Sequence, residues 1–485
     1  MAKIVILGAG ISGHTAARYL NRWLPTEHEI IMVSPNREWN WIPSNIWVGI
    51  GKMDKSQVTF DLANTYHKTR IIFHQARALA IHPEGDADDA QPYITAEFTA
   101  PHSLGHIKKI PFDYLINATG PKLNFQATPG LGPEGGHTVS VCTADHAVEA
   151  NHALQKLIAA MRDGASKTLV IGTGHGTCTC QGAAFEYIYN VDHALREAGV
   201  RDRAKIVWLS NEYELGDFGM GGVHIKRGGY ITNGKTFSES LMVERDIQWI
   251  TRAHVTHIEP GTIHYETLDG QFHQHPFDFA MLIPPFSGVG LKAFDLHQND
   301  ITAQLFAPNG FMRVDADYTS RPYAEWSAQD WPHTYQSPHY PHLFAIGIAF
   351  APPHPISKPM SSANGTPISP APPRTGMPSA SMAMAVAASI RDMLKGASSP
   401  THTASMARMG AACVASTGAN LFTGTAATMT VFPVVPDFKT YPKYGRDLQL
   451  TFGEIGLAGH WLKLLLHYTF LYQAKLRPGW WLLPD

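Results

Sequence analysis

Cysteine is scarce in this chain: four residues in 485, too few for a disulfide scaffold, so each must be weighed singly as core filler or reactive thiol. An excess of either charge is also missing. With 38 basic and 40 acidic residues, the overall field gives no footing for nucleic acid or another polyanion. No basic, then apolar, leader stands ahead of Lys3, and classical secretion is not expected. Neither an H-x-E nor an H-E-x-x-H motif is read among the histidines, and no metal site is expected.

What is present is glycine placed with purpose. The segment A-K-I-V-I-L-G-A-G-I-S-G-H-T-A-A-R-Y-L sets Gly8, Gly10 and Gly13 in G-x-G-x-x-G register. A strand precedes them and a helix follows. The glycines permit a tight turn, close approach of backbone to a pyrophosphate and close packing of helix on strand, while the helix N-terminus attracts phosphate. The second strand, Glu29 to Val33, ends at Ser34, where an NAD fold would place an acidic residue on the ribose. F-D-Y-L-I-N-A-T-G, Phe112 to Gly120, reads as an apolar strand ending in a small-residue turn at Ala118, Thr119 and Gly120. Together these favour FAD over NAD in the first domain.

A second strand, turn and helix unit follows in K-T-L-V-I-G-T-G-H-G-T-C-T-C-Q-G-A-A-F-E-Y. Gly172 and Gly174 are in place, but Thr177 stands at the third glycine position, His175 sits inside the turn, and the next strand ends at Ser210 and Asn211. The unit reads as a second nucleotide-type fold turned to another use. The segment from Ala351 to Pro378 is dense in proline, serine and glycine and is expected to be a long functional loop. A helix is expected from Ser379 to Lys395.

The 485 residues predict two to three domains of ~150 residues each. The boundaries are set at 1–165 for the first part of the FAD domain, 166–295 for the second Rossmann-like unit, 296–395 for the rest of the FAD domain with its proline-rich loop, and 396–485 for a C-terminal membrane-association region. In that last region, between Gly456 and Leu476, His460, Lys463, His467 and Lys475 fall on one helical stripe and apolar residues cover the remaining circumference. Trp480 and Trp481 follow, suited to the level of lipid headgroups. The apolar run is too short and too charged to span a bilayer. The helix is therefore read as monotopic, the alternatives being a helix docked on the core or a dimer contact.

A thiol beside a flavin exchanges with sulfur species, and a helix N-terminus favours its thiolate. Cys178 and Cys180 lie where such a helix begins, though a cysteine in a glycine turn also serves simply as a small residue. Glu186 lies within two helical turns of Cys180 as a proton acceptor, and His146, four residues after Cys142, offers the same service there. Cys413 lies in an apolar run and is read as structural.

Several of these stretches resemble the sulfide:quinone oxidoreductases, a group of FAD-dependent reductases with two dinucleotide-type domains. They are S-P-N-R-E-W-N-W-I-P-S-N-I-W-V-G-I-G from Ser34, N-A-T-G-P-K-L-N-F from Asn117, S-V-C-T-A-D-H-A from Ser140, C-Q-G-A-A-F-E-Y from Cys180, L-F-A-I-G-I-A from Leu343 and P-R-T-G from Pro373. The resemblance implies an α/β fold of two Rossmann-like domains, the second inserted in the first, with a C-terminal amphipathic membrane segment. It implies FAD as cofactor, sulfide as donor, a membrane quinone as acceptor, and a peripheral place on a prokaryotic cytoplasmic membrane; a homo-oligomer is compatible with it. Cofactor contacts are expected from Gly8, Ala9, Gly10, Ser12, Gly13, Ser34, Pro35, Asn36, Pro43, Arg77, Ala118, Thr119, Gly120, Gly347, Thr375 and Gly376. The catalytic residues it implies are Cys180, Cys142, Glu186 and His146, and the position of Cys178 at the second glycine turn adds that thiol to the candidate set.

The sequence also departs from that family. No cysteine lies between Leu343 and Met377, so the family's sulfur-bridging pair cannot form, and Cys178 is an extra thiol. Asp217 stands where the family often shows a histidine, and Arg374 replaces the lysine of the last turn. Rival readings are a single-subunit NADH:quinone oxidoreductase, the flavin subunit of a flavocytochrome sulfide dehydrogenase, and a non-enzymatic sulfide-binding flavoprotein.

Overall fold

A computed structural model describes the whole chain except Cys180, Arg374, Thr375, Ala419, Thr423, Pro484 and Asp485. The chain opens with β1 (Lys3–Leu7), α1 (Ile11–Trp23) and β2 (Glu29–Ser34). β1 is almost wholly buried, as an inner strand of a parallel sheet is. It lies parallel between β2 and the strand Tyr114–Asn117, with Leu343–Ala345 beyond the latter. On the other side β2 pairs with Ile71–His82, which continues antiparallel into Tyr93–Phe98 and Ile107–Pro111.

The helix α2 (Ala144–Arg162), capped by Thr143, leads to the second unit: β3 (Lys167–Thr173), α3 (Gln181–Glu197) and β4 (Ala204–Leu209). Here β3 lies parallel between β4 and Phe279–Ile283. An antiparallel sheet of β5 (Ala253–Glu259), β6 (Thr262–Thr267) and Phe272–Pro276 stands beside it. The two nucleotide-type folds inferred from the glycine turns are both present, and Leu343–Ala345 returns to the first sheet after the second unit, as insertion requires.

The segment from 351 to 373 holds no helix or strand and carries one isolated bridge, Ser361 to Pro367. It leads to α4 (Gly376–Leu394), starting three residues before the expected helix. The C-terminal strands β7 (Ala411–Thr417), Thr425–Val431 and Phe452–Gly456 form a sheet that also takes in His224–Arg227 of the second unit. The last long helix, α5 (Leu457–Ala474), packs on this sheet.

Candidate functional site

The first glycine turn is built around a space. A Cβ on Gly8 (φ +89°) would lie 2.4 Å from the Ala118 carbonyl oxygen, and one on Gly13 would lie 1.9 Å from the Gly8 carbonyl oxygen, so neither position admits a side chain. Gly10 is the exception, with nothing within 4 Å of a Cβ there. It is also the N-cap of α1 and no side chain caps that helix, so its first N–H groups and the positive end of its dipole face the opening.

Gly347 (φ +65°) closes on Ser12, whose Oγ would lie 2.5 Å from an added Cβ, and Gly376 brings the start of α4 beside Ile11. Thr119 is fixed by two hydrogen bonds to Asn117 Oδ1, and Gly120 beyond it (φ +69°) again faces open space. Ser34 is buried at the end of β2, with Ala9, Ser12 and Ala118 also buried nearby in the fold's centre. An uncapped helix, two open glycines and a serine rather than an acidic residue at the end of β2 fit the diphosphate and ribose of FAD.

Around this set, Pro35 accepts a hydrogen bond from Thr99, Asn36 is exposed, and Pro43 lies half-buried in the short turn Ile42–Ser44. Arg77 is 63% exposed, and its guanidinium reaches across the sheet to Glu97 at 3.8 Å. Thr375 lies outside the described residues.

The second glycine turn is closed. Asn211 Nδ2 donates to the carbonyls of Gly176 and Cys178, and Gln181 Nε2 donates to Cys178 as well. The proline-rich loop lies along the turn, with Ser369 N–H donating to the Gly176 carbonyl, Ala371 N–H to that of Cys178 and Thr179 Oγ1 to that of Pro372. The Leu131 side chain covers Gly174. His175 stands edge-on to His254, and burial with that neighbour pushes it down to about 4, so it is neutral.

The carboxylate nearest the usual ribose position, Glu212, is fully buried and turned inward to Ser210 Oγ and the Phe218 N–H. Burial pushes it up to about 7. Neither the turn nor this carboxylate is presented to a second dinucleotide.

The cysteines separate by environment. Cys178 is fully buried and its thiol donates to the Ile283 carbonyl oxygen at 3.0 Å, so it is not the accessible sulfur that the sequence suggested. Cys180 lies outside the described residues. Cys142 is half-buried before the cap of α2, and burial raises its thiol above the ordinary range.

His146, in the first turn of α2, meets Phe125 edge-on, and its Nε2 lies 3.6 Å from Glu134. Its buried Nδ1 has no hydrogen-bond partner among the described residues. Asp217 accepts from Ser357 in the proline-rich loop and from the Gly219 N–H, and burial raises its carboxyl.

Glu186 is bound to a partner that sequence reasoning missed. Its carboxylate accepts from Lys463 Nζ of α5 at 3.0 Å and from the Ser416 N–H of β7 at 3.0 Å. Burial raises the carboxyl against the pull of Lys463. Cys413, also on β7 and read as structural, is half-buried, and its Sγ lies 3.3 Å from where a Gly182 Cβ would be, at the head of α3. Burial and the nearby Glu186 push this thiol up to about 11. No spacing in the sequence links β7, α3 and α5; only the sheet brings them together.

The helix α5 turns its polar stripe inward. His460, Lys463 and His467 are buried, with His460 bonded to Ser416 and Asn420 and His467 to Ser44. Burial, with Lys463 and Lys475 nearby, pushes His467 down to about 4. Outward go Trp461, Leu462, Leu465 (63% exposed) and Tyr468 (61%), beside Phe422 (82%) and Leu482 (79%). Trp480 departs from the expected headgroup position: it is buried against Tyr19 and Arg18, while Trp481 stays exposed. Among the described residues no helix is long and apolar enough to cross a membrane.

A family model described as pyridine nucleotide-disulphide oxidoreductase matches residues 2–215. The chain is 29% identical to a sulfide-quinone reductase of Aquifex aeolicus over 478 residues, 98% of this chain and 92% of that protein. It is similar to the crystal structure of the sulfide:quinone oxidoreductase from that bacterium, with a TM-score of 0.76 at 27% identity over 98% of this chain and 92% of that one. The resemblance read from the sequence thus extends along nearly the full length. NDH2 of Plasmodium falciparum in complex with NADH shares the fold, with a TM-score of 0.60 at 12% identity over 99% and 95% of the two chains.

Proposed function

We propose that this chain, similar along nearly its whole length to a sulfide-quinone reductase, oxidises sulfide with FAD and passes the two electrons to a membrane quinone. The product is zero-valent sulfur or polysulfide. The observation that carries the reading, beside that likeness, is the second glycine turn: its backbone is bonded to the proline-rich loop, where a second dinucleotide would have to lie, and it leads into a cysteine. The same closure weighs against the NADH reading.

FAD, held by the turn from Gly8 to Gly13 with Ser34, the 118–120 turn, Gly347 and Gly376, supplies a two-electron acceptor. The chain's own residues do the rest. The thiolate of Cys180, the residue just before α3 in the sequence, takes the sulfur of hydrosulfide into an S–S bond; the S–H bond breaks, two electrons pass to the flavin and one proton is released for each sulfide. His146 Nδ1, buried without a hydrogen-bond partner among the described residues, is the base that accepts this proton. Lys463 and the Ser416 N–H donate to the Glu186 carboxylate and favour its charged form, against burial, which favours the neutral one. Cys178, buried and bonded to Ile283, shapes the turn rather than carrying sulfur.

The exposed apolar face of α5, continued by Phe422, Trp481 and Leu482, supports peripheral attachment to the bilayer of a prokaryotic cytoplasmic membrane, where a quinone is available.

The test is anaerobic bleaching of the FAD-loaded protein by sulfide and by NADH in separate cuvettes, with a soluble quinone added afterwards. Bleaching by sulfide and recovery with quinone is expected, and Cys180→Ser should abolish the first step. Bleaching by NADH alone would overturn the reading.

A further inference from the structure

The hairpin of β5 and β6 carries a group of side chains for which the sulfur chemistry has no use. His257 and Glu259 are two residues apart on β5, and alternation along a strand sends both to one face. The chain reverses at Pro260 and Gly261 (φ +77°), and Glu259 pairs with Thr262. A regular ladder continued from the pair Val255 and Tyr265 would set Thr256 opposite His264. The register instead shifts between Val255 and His257, and His257 takes that place. Bulges of this kind re-aim a side chain.

The result is a cluster of three donors. The ligand atoms of His257, Glu259 and His264 all lie within 4.8 Å of one another, and His264 Nε2 is 3.1 Å from Glu259 Oε2. The residue displaced by the bulge also has a role. Thr256 Oγ1 donates its one proton to the His264 carbonyl oxygen at 3.2 Å and so accepts from His257 Nδ1, also at 3.2 Å. That contact leaves the Nε2 lone pair of His257 free, the way a neighbouring acceptor orients a metal-binding imidazole.

We propose that His257, Glu259 and His264 form a binding site for a late divalent cation of the zinc class, against the sequence expectation of no metal. Two imidazoles and a carboxylate suit that class, with the remaining position left to water. Zinc at ~2.1 Å from each ligand in tetrahedral geometry holds its donors about 3.4 Å apart, so a cluster whose donors lie within 4.8 Å of one another must close by at most about 1.4 Å. The two imidazoles are stacked, with centroids 4.0 Å apart and planes 12° from parallel. A lone pair lies in the plane of its ring, so cation binding opens the stack. The site faces solvent, with the Glu259 side chain 62% exposed and that of His264 15%, and the cation enters without unfolding the hairpin.

The experiment uses the full-length FAD-loaded protein, stripped with chelator and dialysed against Zn2+, with bound zinc counted. The wild type is expected to hold one more equivalent than the His257→Ala, His264→Ala double variant. Glu259→Gln should retain that equivalent with roughly tenfold weaker affinity, a ligand having been lost. FAD content is measured in each variant to show that the fold is intact. Zinc held in equal number and with equal affinity by all three proteins would assign the binding to other histidines and overturn the proposal.

Discussion

Lys463 donates to Glu186 at 3.0 Å across 277 residues of chain, joining the last helix to the helix behind the cysteine turn. Both side chains are largely withdrawn from water, with exposures of 11% and 9%. Removing one partner of such a pair costs more than removing both, because the survivor is left buried and uncompensated. Lys463→Met is expected to lower stability by about 3 kcal/mol. The double variant with Glu186→Gln should recover most of the loss. Urea unfolding of the three proteins checks this, and a double variant no better than the single one would refute it.

Glu212 ties stability to pH. Its folded pKa is raised to about 7 by burial, against ~4.3 for an unfolded glutamate. The sign follows from proton counts: between these values the unfolded chain has lost a proton that the folded chain keeps, so the contribution is full at low pH and falls as pH rises. The slope is about 1.4 kcal/mol per pH unit, ending near the folded pKa. Glu212→Gln lacks the effect. Its stability relative to wild type should therefore improve from pH 5 to 7 and level off above; a constant difference would refute this.

Gly10 tests the cofactor cradle separately from the fold. Space surrounds it in the protein alone, so Gly10→Val should fold with normal helix content. The branched side chain would project into the opening at the helix N-terminus, and FAD content, read from the ratio of flavin to protein absorbance, should drop at least tenfold. Gly13→Val differs, since its Cβ meets the Gly8 carbonyl oxygen at 1.9 Å and the turn itself must break. That variant should be lost to aggregation.

Cys413, raised to about 11, should react slowly with iodoacetamide at pH 8, when only about one thiol in a thousand is ionised. Mass mapping of alkylated protein should show it lagging well behind the same cysteine in urea. Lys463→Met, which removes the cation nearest the group, should slow it further. Equal rates in folded and unfolded protein would mean that β7 does not enclose the thiol.

The sequence made the first glycine turn legible because a fixed spacing, a strand before it and a helix after it all serve one local geometry. Ser34, the second turn and the unstructured loop from 351 were legible for the same reason. The α5 pattern was visible too, as a stripe of His460, Lys463 and His467. What periodicity could not supply was the direction of that stripe, because its partners Ser416, Glu186 and Ser44 come from distant strands and helices. The closeness of Cys413 to Gly182 was not legible either, because sheet packing sets it. The sequence reading missed the H-x-E spacing of His257 and Glu259, and the bulge that brings His264 opposite His257 belongs to the hairpin.

The outward apolar face of α5 also bears on how the protein behaves once taken out of a cell. On the proposed membrane reading that face lacks its cover in water, and copies are expected to meet through Leu465, Tyr468 and Phe422, with detergent or lipid parting them. A particle size measured without either reports the search of this helix for a nonaqueous neighbour. Leu465→Asp with Phe422→Asp should yield a smaller particle in plain buffer and at least tenfold less protein on sedimented vesicles, while the reaction with a short-chain soluble quinone continues. On a vesicle the same face is already satisfied, and the protein there needs no second copy.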